Sequence, residues 1–199
     1  MLLLAVASSL PSIAFSQAGM VISDEPQQSL APHIEYYEDG SEILGITDIL
    51  AANFDVNFIP YNRDILHFGL TSSAYWLRFN LDWSEITNDS LRILEFGPPR
   101  IVSDLIRGGI EVYVVDSDRQ ITNQLILGSG TSPLERKTLN RGFALTITPE
   151  FGNQLYLRVT SARPLRLPVT LWQLDEFRAV EMDANGRLNL QYGILLALL

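Results

Sequence analysis

The chain has 199 residues, 47% hydrophobic and 19% charged, with 23 acids against 14 bases and a formal charge of −9. That length suits one domain or one domain with an appendage, and the composition excludes a wholly disordered chain. The acidic balance argues against nucleic acid, which is bound by neutralising phosphates, and the absence of cysteine excludes disulfides, thiolate metal sites and a thiol nucleophile.

Residues 1–18, MLLLAVASSLPSIAFSQA, carry no charged side chain and end in Ser16-Gln17-Ala18. Small residues at those last positions suit a signal peptidase, so a signal peptide cleaved after Ala18 is expected, followed by an N-terminal linker over 19–32. Between Asp24 and Asp64 nine acids stand against Arg63 alone. This run reads as a solvated face, or failing that as a surface for cations. Within it, Ile46–Ala52 has the spacing of a short helix, with Thr47 as its cap and Asp48 favouring its N-terminus.

The next stretches read as strands. In Ala74–Trp83, Tyr75, Leu77, Phe79, Leu81 and Trp83 share one face and are expected in the core; Trp76, Arg78, Asn80 and Asp82 share the other and are expected to face away from it. Similar alternation recurs in Ile110–Val114, Leu155–Thr160 and Leu165–Trp172, where Pro168 calls for an edge or a strand end. Turn signals stand at Asn88-Asp89-Ser90, Gly97-Pro98-Pro99, Asp116-Ser117-Asp118, Gly128-Ser129-Gly130 and Gly152-Asn153. Short strands at this spacing predict an all-β, antiparallel sandwich over 33–174. Residues 175–187 then have helical spacing with charges of both signs. Residues 188–199 are nearly all apolar but too few for a bilayer, which needs about 20, and are expected to open a transmembrane helix; a packed C-terminal helix is the alternative.

Chemistry-bearing motifs are few. The chain has no phosphate loop, nucleophile elbow or His-Glu-x-x-His pair, and its two histidines, His33 and His67, leave little for a metal site or a triad. No metal and no cofactor are expected. Asp116-x-Asp118 supplies only part of a calcium shell. Paired carboxylates for glycoside hydrolysis, such as Glu95 with Glu111, stay open because their separation is not legible in the sequence, though among so many acids any such pair is a weak signal. The constellation singled out is the outward strand face. Trp76 and Arg78 lie on one strand, Glu111 and Tyr113 on another, Tyr156 and Arg158 on a third, and Arg166, Thr170 and Trp172 follow. An aromatic plate beside guanidinium and hydroxyl groups suits a sugar, whose ring face stacks while its edge is hydrogen-bonded. The candidate ligand-binding residues are Trp76, Arg78, Tyr113, Arg158 and Trp172. Ordinary cross-strand pairing accounts for the same pattern, and the two sheets of a sandwich turn their outer faces in opposite directions, so not all can share one site.

Several segments together carry a resemblance. His33-Ile-Glu-Tyr-Tyr-Glu-Asp-Gly40, then His67–Leu81 with Ala74-Tyr-Trp-Leu-Arg-Phe-Asn-Leu81, Leu94-Glu-Phe-Gly97, Leu155-Tyr-Leu-Arg-Val-Thr-Ser161, Leu167-Pro-Val-Thr-Leu-Trp172 and Gln191–Leu199 follow one family's order. The chain resembles the second type of extracellular domain of bacterial seven-transmembrane receptors with diverse intracellular signalling modules. The resemblance implies an exported jelly roll, similar to galactose-binding and carbohydrate-binding modules, anchored in the inner membrane. Seven membrane helices and a cytoplasmic output such as a histidine kinase or diguanylate cyclase would follow it.

Residues and resemblance together lead to a non-enzymatic periplasmic sensor domain that binds a small, carbohydrate-like ligand and transmits to a membrane helix. The alternatives are a periplasmic protein-interaction module without a small-molecule site and, more remotely, a carbohydrate hydrolase. A ligand site is expected at Trp76 and Arg78, with the acidic N-terminal segment at its rim.

Overall fold

The computed structural model describes residues 19–86, 91–97, 106–127, 143–161, 164–183 and 186, with the backbone alone at 106–109. Thirteen strands lie among them: β1 Met20–Val21, β2 Gln27–Ser29, β3 Glu35–Asp39, β4 Ile59–Pro60, β5 Leu66–Gly69, β6 Ala74–Asp82 and β7 Arg92–Glu95, then β8 Ile106–Val115, β9 Ile121–Leu127, β10 Ala144–Ile147, β11 Gln154–Ser161, β12 Leu165–Leu167 and β13 Thr170–Gln173. A larger sheet runs β4-β3-β6-β11-β8-β9, with β1 joined in parallel to the end of β6. A smaller one runs β10-β7-β13-β2, and β12 and β5 form a separate ribbon. Every pairing apart from that of β1 is antiparallel.

The main hydrophobic cluster takes side chains from both sheets. Tyr75, Leu77, Phe79 and Leu81 of β6 and Leu155, Leu157 and Val159 of β11 join Leu94 of β7, Leu145 and Ile147 of β10 and Leu171 of β13. The alternation along β6 therefore positions its core face as expected, and each such side chain contributes roughly 1.5–3 kcal/mol through burial. Trp83, just past the strand, is half-buried at the margin of this cluster. Gly152 precedes β11 with φ +113°, and a Cβ there would stand 2.5 Å from Val114 Cγ1. Both the backbone and the space require glycine.

Three local expectations are corrected. Residues 19–32 are not a linker: Met20 pairs with Leu81, β2 pairs with β13, and Ile22, Leu30 and Ala31 are buried. Their apolar side chains are spaced irregularly, so neither period showed. The expected strand Leu165–Trp172 divides at Pro168, which has no N–H to give a ladder; β12 pairs with β5 while β13 joins the small sheet. The short helix α1 spans Ile46–Ile49 and begins from Gly45, whose N–H donates to the Asp48 carboxylate at 2.9 Å; Thr47 already sits inside the helix.

After β13 the described chain is helical over 174–183 and packs Phe177 against Ile93 and Ala144 on the outer side of the small sheet. No helix among the described residues is long and apolar enough to cross a membrane. The expected signal peptide, residues 1–18, and membrane segment, residues 188–199, lie outside the described residues, as do the turn signals at 88–90 and 128–130.

Candidate functional site

Antiparallel register gathers most of the singled-out side chains on the second face of the larger sheet. Trp76 stands opposite Arg158 on one side and Tyr37 on the other. Arg78 stands opposite Tyr156 and Glu35, while Tyr156 faces Tyr113 and Arg158 faces Glu111. Side chains directly opposite one another on neighbouring strands point to the same face, so one patch spans β3, β6, β11 and β8.

That face is not open. The chain leaving β3 crosses it over residues 40–58, and Trp76, Tyr113, Val115 and Tyr156 form a second hydrophobic cluster with Ile49 and Phe58 of the crossing segment. Trp76 and Tyr156 are each 0% exposed. The expectation that Trp76 faces solvent is overturned: alternation separates the two faces of a strand but does not say that one is wet. The unbroken apolar run Ala74-Tyr75-Trp76-Leu77 was the readable signal, because a strand buried on both faces loses its polar positions. Instead of forming a rim, the acidic segment lies across the patch.

The polar groups beneath this cover are mostly paired. Arg78 Nε donates to Glu35 at 2.6 Å, its Nη1 donates to Asp55, and its guanidinium lies 4.2 Å from the Phe58 ring centroid. Asp55 also receives Arg119 Nη2, and Arg119 Nη1 reaches the carbonyls of Leu50 and Ala51. Arg158 donates to Glu111 at 3.0 Å and to the Glu42 carbonyl at 2.8 Å, while the Tyr113 hydroxyl donates to Glu111 at 2.6 Å. Burial, with the Glu111 carboxylate adding to it, pushes the Tyr113 hydroxyl far above its ordinary pKa. Burial also raises Tyr156, against the pull of the neighbouring Arg78 charge. Glu35 and Asp55 thus leave the solvated face to which the acidic run was assigned. So does Asp39, whose carboxylate accepts the N–H groups of Ser41 and Leu44 and is held below its usual pKa despite burial.

Three donors remain. Trp76 Nε1 and Arg158 Nε are buried without a hydrogen-bond partner, and the Tyr156 hydroxyl meets the Arg78 guanidinium, a donor that cannot accept its proton. All three are thus unmet as donors on this one face; Trp83 Nε1 and Arg92 Nε lack partners elsewhere. A buried donor left unmade costs about 1–3 kcal/mol, so such a grouping calls for an acceptor.

Trp172 belongs to a different place. It lies on the outer side of the smaller sheet, donates Nε1 to Glu95 at 3.0 Å, and packs edge-on to Phe177 at 6.3 Å. With Glu25, Pro26, Gln27, Glu176 and Val180 it lines an open groove of about 610 Å³. Burial raises the Glu95 carboxyl, and the hydrogen bond from Trp172 opposes this. Glu95 and Glu111 therefore occupy opposite outer faces and form no hydrolytic pair. Asp116 closes its own turn, accepting N–H groups from Asp118 and Gln120. Phe58, Asp55 and Arg119 were missed because each approaches the site from a loop, where neither period applies.

Two sheets around a common core, with a covered aromatic and ion-pair face, define a mostly β, antiparallel domain with a C-terminal helix. The family model for the 7TMR-DISM extracellular 2 domain matches residues 31–173, and the chain belongs to that family. It is an extracellular sensor domain of the seven-transmembrane receptors that carry intracellular signalling modules. No curated protein matches the chain.

Proposed function

We propose that this domain is a non-catalytic sensor, built as a jelly-roll sandwich, that binds a small carbohydrate-like ligand on the larger sheet's covered face. In this reading residues 1–18 direct export, the domain stands in the periplasm, and the helix at 174–183 carries the event toward a membrane segment beginning in 188–199. Trp76, Arg78, Tyr113 and Arg158 form the ligand face, with Trp172 outside it. The observation that supports this most is the set of buried donors at Trp76, Tyr156 and Arg158, which sugar oxygens can satisfy.

The test is a thermal-shift screen of the full chain against mono- and oligosaccharides and carboxylates, repeated on Trp76→Phe, which keeps the ring and deletes the donor. A ligand that stabilises the parent and not Trp76→Phe supports the site; equal stabilisation of both refutes it. A second reading, a module that docks a partner protein, rests on the open groove at Trp172, where Val180 of the helix is exposed. A broad screen in which nothing binds favours it.

A further inference from the structure

Resting on that reading, we propose that residues 40–58 are a removable cover latched by Asp55, and that the closed site beneath it takes an uncharged, acceptor-rich ligand. The ligand class follows from charge and donor bookkeeping on this face. Arg78, Arg119 and Arg158 already meet Glu35, Asp55 and Glu111, so an added anion would find no unmatched cation, and the one further buried acid of this face, Asp39, is taken up by the N–H groups of Ser41 and Leu44. What remains unmet is three donors, two of them on the wholly buried Trp76 and Tyr156. Trp76 stands directly across the ladder from Arg158, and Tyr156 lies two residues along the same strand. Hydroxyl, ether or amide oxygens on a neutral molecule match that set, with the rings of Trp76 and Tyr113, 5.9 Å apart, as its floor.

The cover is built to move as a unit. Its regular structure is the four-residue helix α1 and a 3-10 turn at Asp55–Asn57. Ile43 and Val56 are more than 80% exposed, while Ile49 and Phe58 anchor the segment in the second cluster with Leu44, Ile46, Leu50 and Phe54 packed against it. A segment with so little regular structure, held to the sheet by side chains, opens at lower free-energy cost than the strands beneath it. It starts next to Glu42, held at φ +58°, where a residue with a side chain is strained. Guanidiniums hold it down: Arg78 and Arg119 both meet Asp55, Arg119 also binds the Leu50 and Ala51 carbonyls, and Arg158 binds the Glu42 carbonyl. Asp55 joins β6 and the turn before β9 to the cover, so it is a positioning residue.

A latch and a ligand contact give opposite results on removal. If only the open fraction binds, apparent affinity scales with that fraction, and loosening the latch tightens binding. The experiment compares the parent chain with Asp55→Asn and Arg119→Gln, both checked for an unchanged circular dichroism spectrum. Access to the site is read by acrylamide quenching of Trp76 in a Trp83→Phe, Trp172→Phe background. Binding is read by calorimetry with maltotriose, cellotriose, chitotriose and, as the charged control, glucuronate. Expected are a several-fold rise in Trp76 quenching in both variants and tightening of a neutral trisaccharide by on the order of tenfold. Quenching equal to the parent's, or weaker binding in both variants, overturns the latch, and preference for glucuronate overturns the ligand class. A sugar that binds while Trp76 stays shielded removes the cover but leaves the sensor reading. An opened Trp76 that meets only water, with no sugar bound by any variant, removes both.

Discussion

Each sheet has an outer face, and the chain covers the two in different ways. On the larger sheet a loop segment from the strand's own neighbour folds across Trp76, Arg78 and Tyr156, bringing aromatic rings and the Asp55 carboxylate that meets Arg78 and Arg119. On the smaller sheet the helix at 174–183 sits over Ile93 and Ala144 through Phe177, leaving Trp172 beside an open groove. The first cover produces a second core with stranded donors inside it; the second buries Phe177 and leaves the groove beside Trp172 open. Two tryptophans of the same outward parity therefore have unlike roles, and stability should separate them.

The largest difference is expected at those tryptophans. Trp76→Ala removes a fully buried ring and should cost about 3–5 kcal/mol, measured by urea denaturation. Trp172→Ala, half-buried at a groove, should cost about 1–2 kcal/mol. Equal losses would place the two faces on one footing. Next comes Arg78→Ala, which leaves buried Glu35 without its partner and should cost about 3 kcal/mol, much of it restored by adding Glu35→Gln. If the double variant is no more stable than Arg78→Ala, the cost lies in lost packing over Phe58 and not in the stranded charge.

What the sequence made legible was parity, and what it concealed was cover. The register pairs Trp76 with Arg158 and Arg158 with Glu111, so the residues chosen by alternation do share a face, and the same rule put Leu77, Phe79 and Leu81 in the core. Trp172 had the right parity on the wrong sheet, because period two is blind to which sheet a strand joins. Whether a face is wet depends on a segment elsewhere in the chain, here Ile49, Phe58 and Asp55, whose contacts with Arg78 and Trp76 of β6 cross 18 or more residues and leave no periodic trace. The acidic run looked solvated for the same reason: Glu35 and Asp55 are acids whose arginines lie far along the sequence.

Smaller effects should follow from pH, and with opposite signs in the two regions. Asp39, at the start of the larger sheet's cover, has a folded pKa below its ordinary 3.8 through the Ser41 and Leu44 hydrogen bonds, which outweigh burial. Its stabilisation is present above that ordinary value and is lost as pH falls through the lower folded value. Asp39→Asn should therefore destabilise at pH 7 and flatten the acid limb of a stability profile. Glu95, beneath the helix, has a folded pKa raised above 4.5 by burial. Its contribution is greatest below 4.5 and is lost as pH rises through the raised value. Glu95→Gln keeps an acceptor for Trp172 and should be more stable than the parent at pH 7, on the order of 0.5 kcal/mol, the smallest change expected. A Glu95→Gln protein less stable than the parent at neutral pH would mean that the ionised carboxylate is stabilising there.

The chain has three tryptophans, so a ¹⁵N-labelled sample gives three indole N–H signals, assignable through Trp76→Phe, Trp83→Phe and Trp172→Phe. Titrating that sample with the neutral trisaccharide that binds most tightly asks directly whether ligand reaches the covered face. The account predicts that the Trp76 signal shifts as its free donor gains an acceptor, while the Trp172 signal, already bonded to Glu95, stays in place. A Trp172 signal that moves while Trp76 stays fixed would contradict it, placing recognition on the smaller sheet.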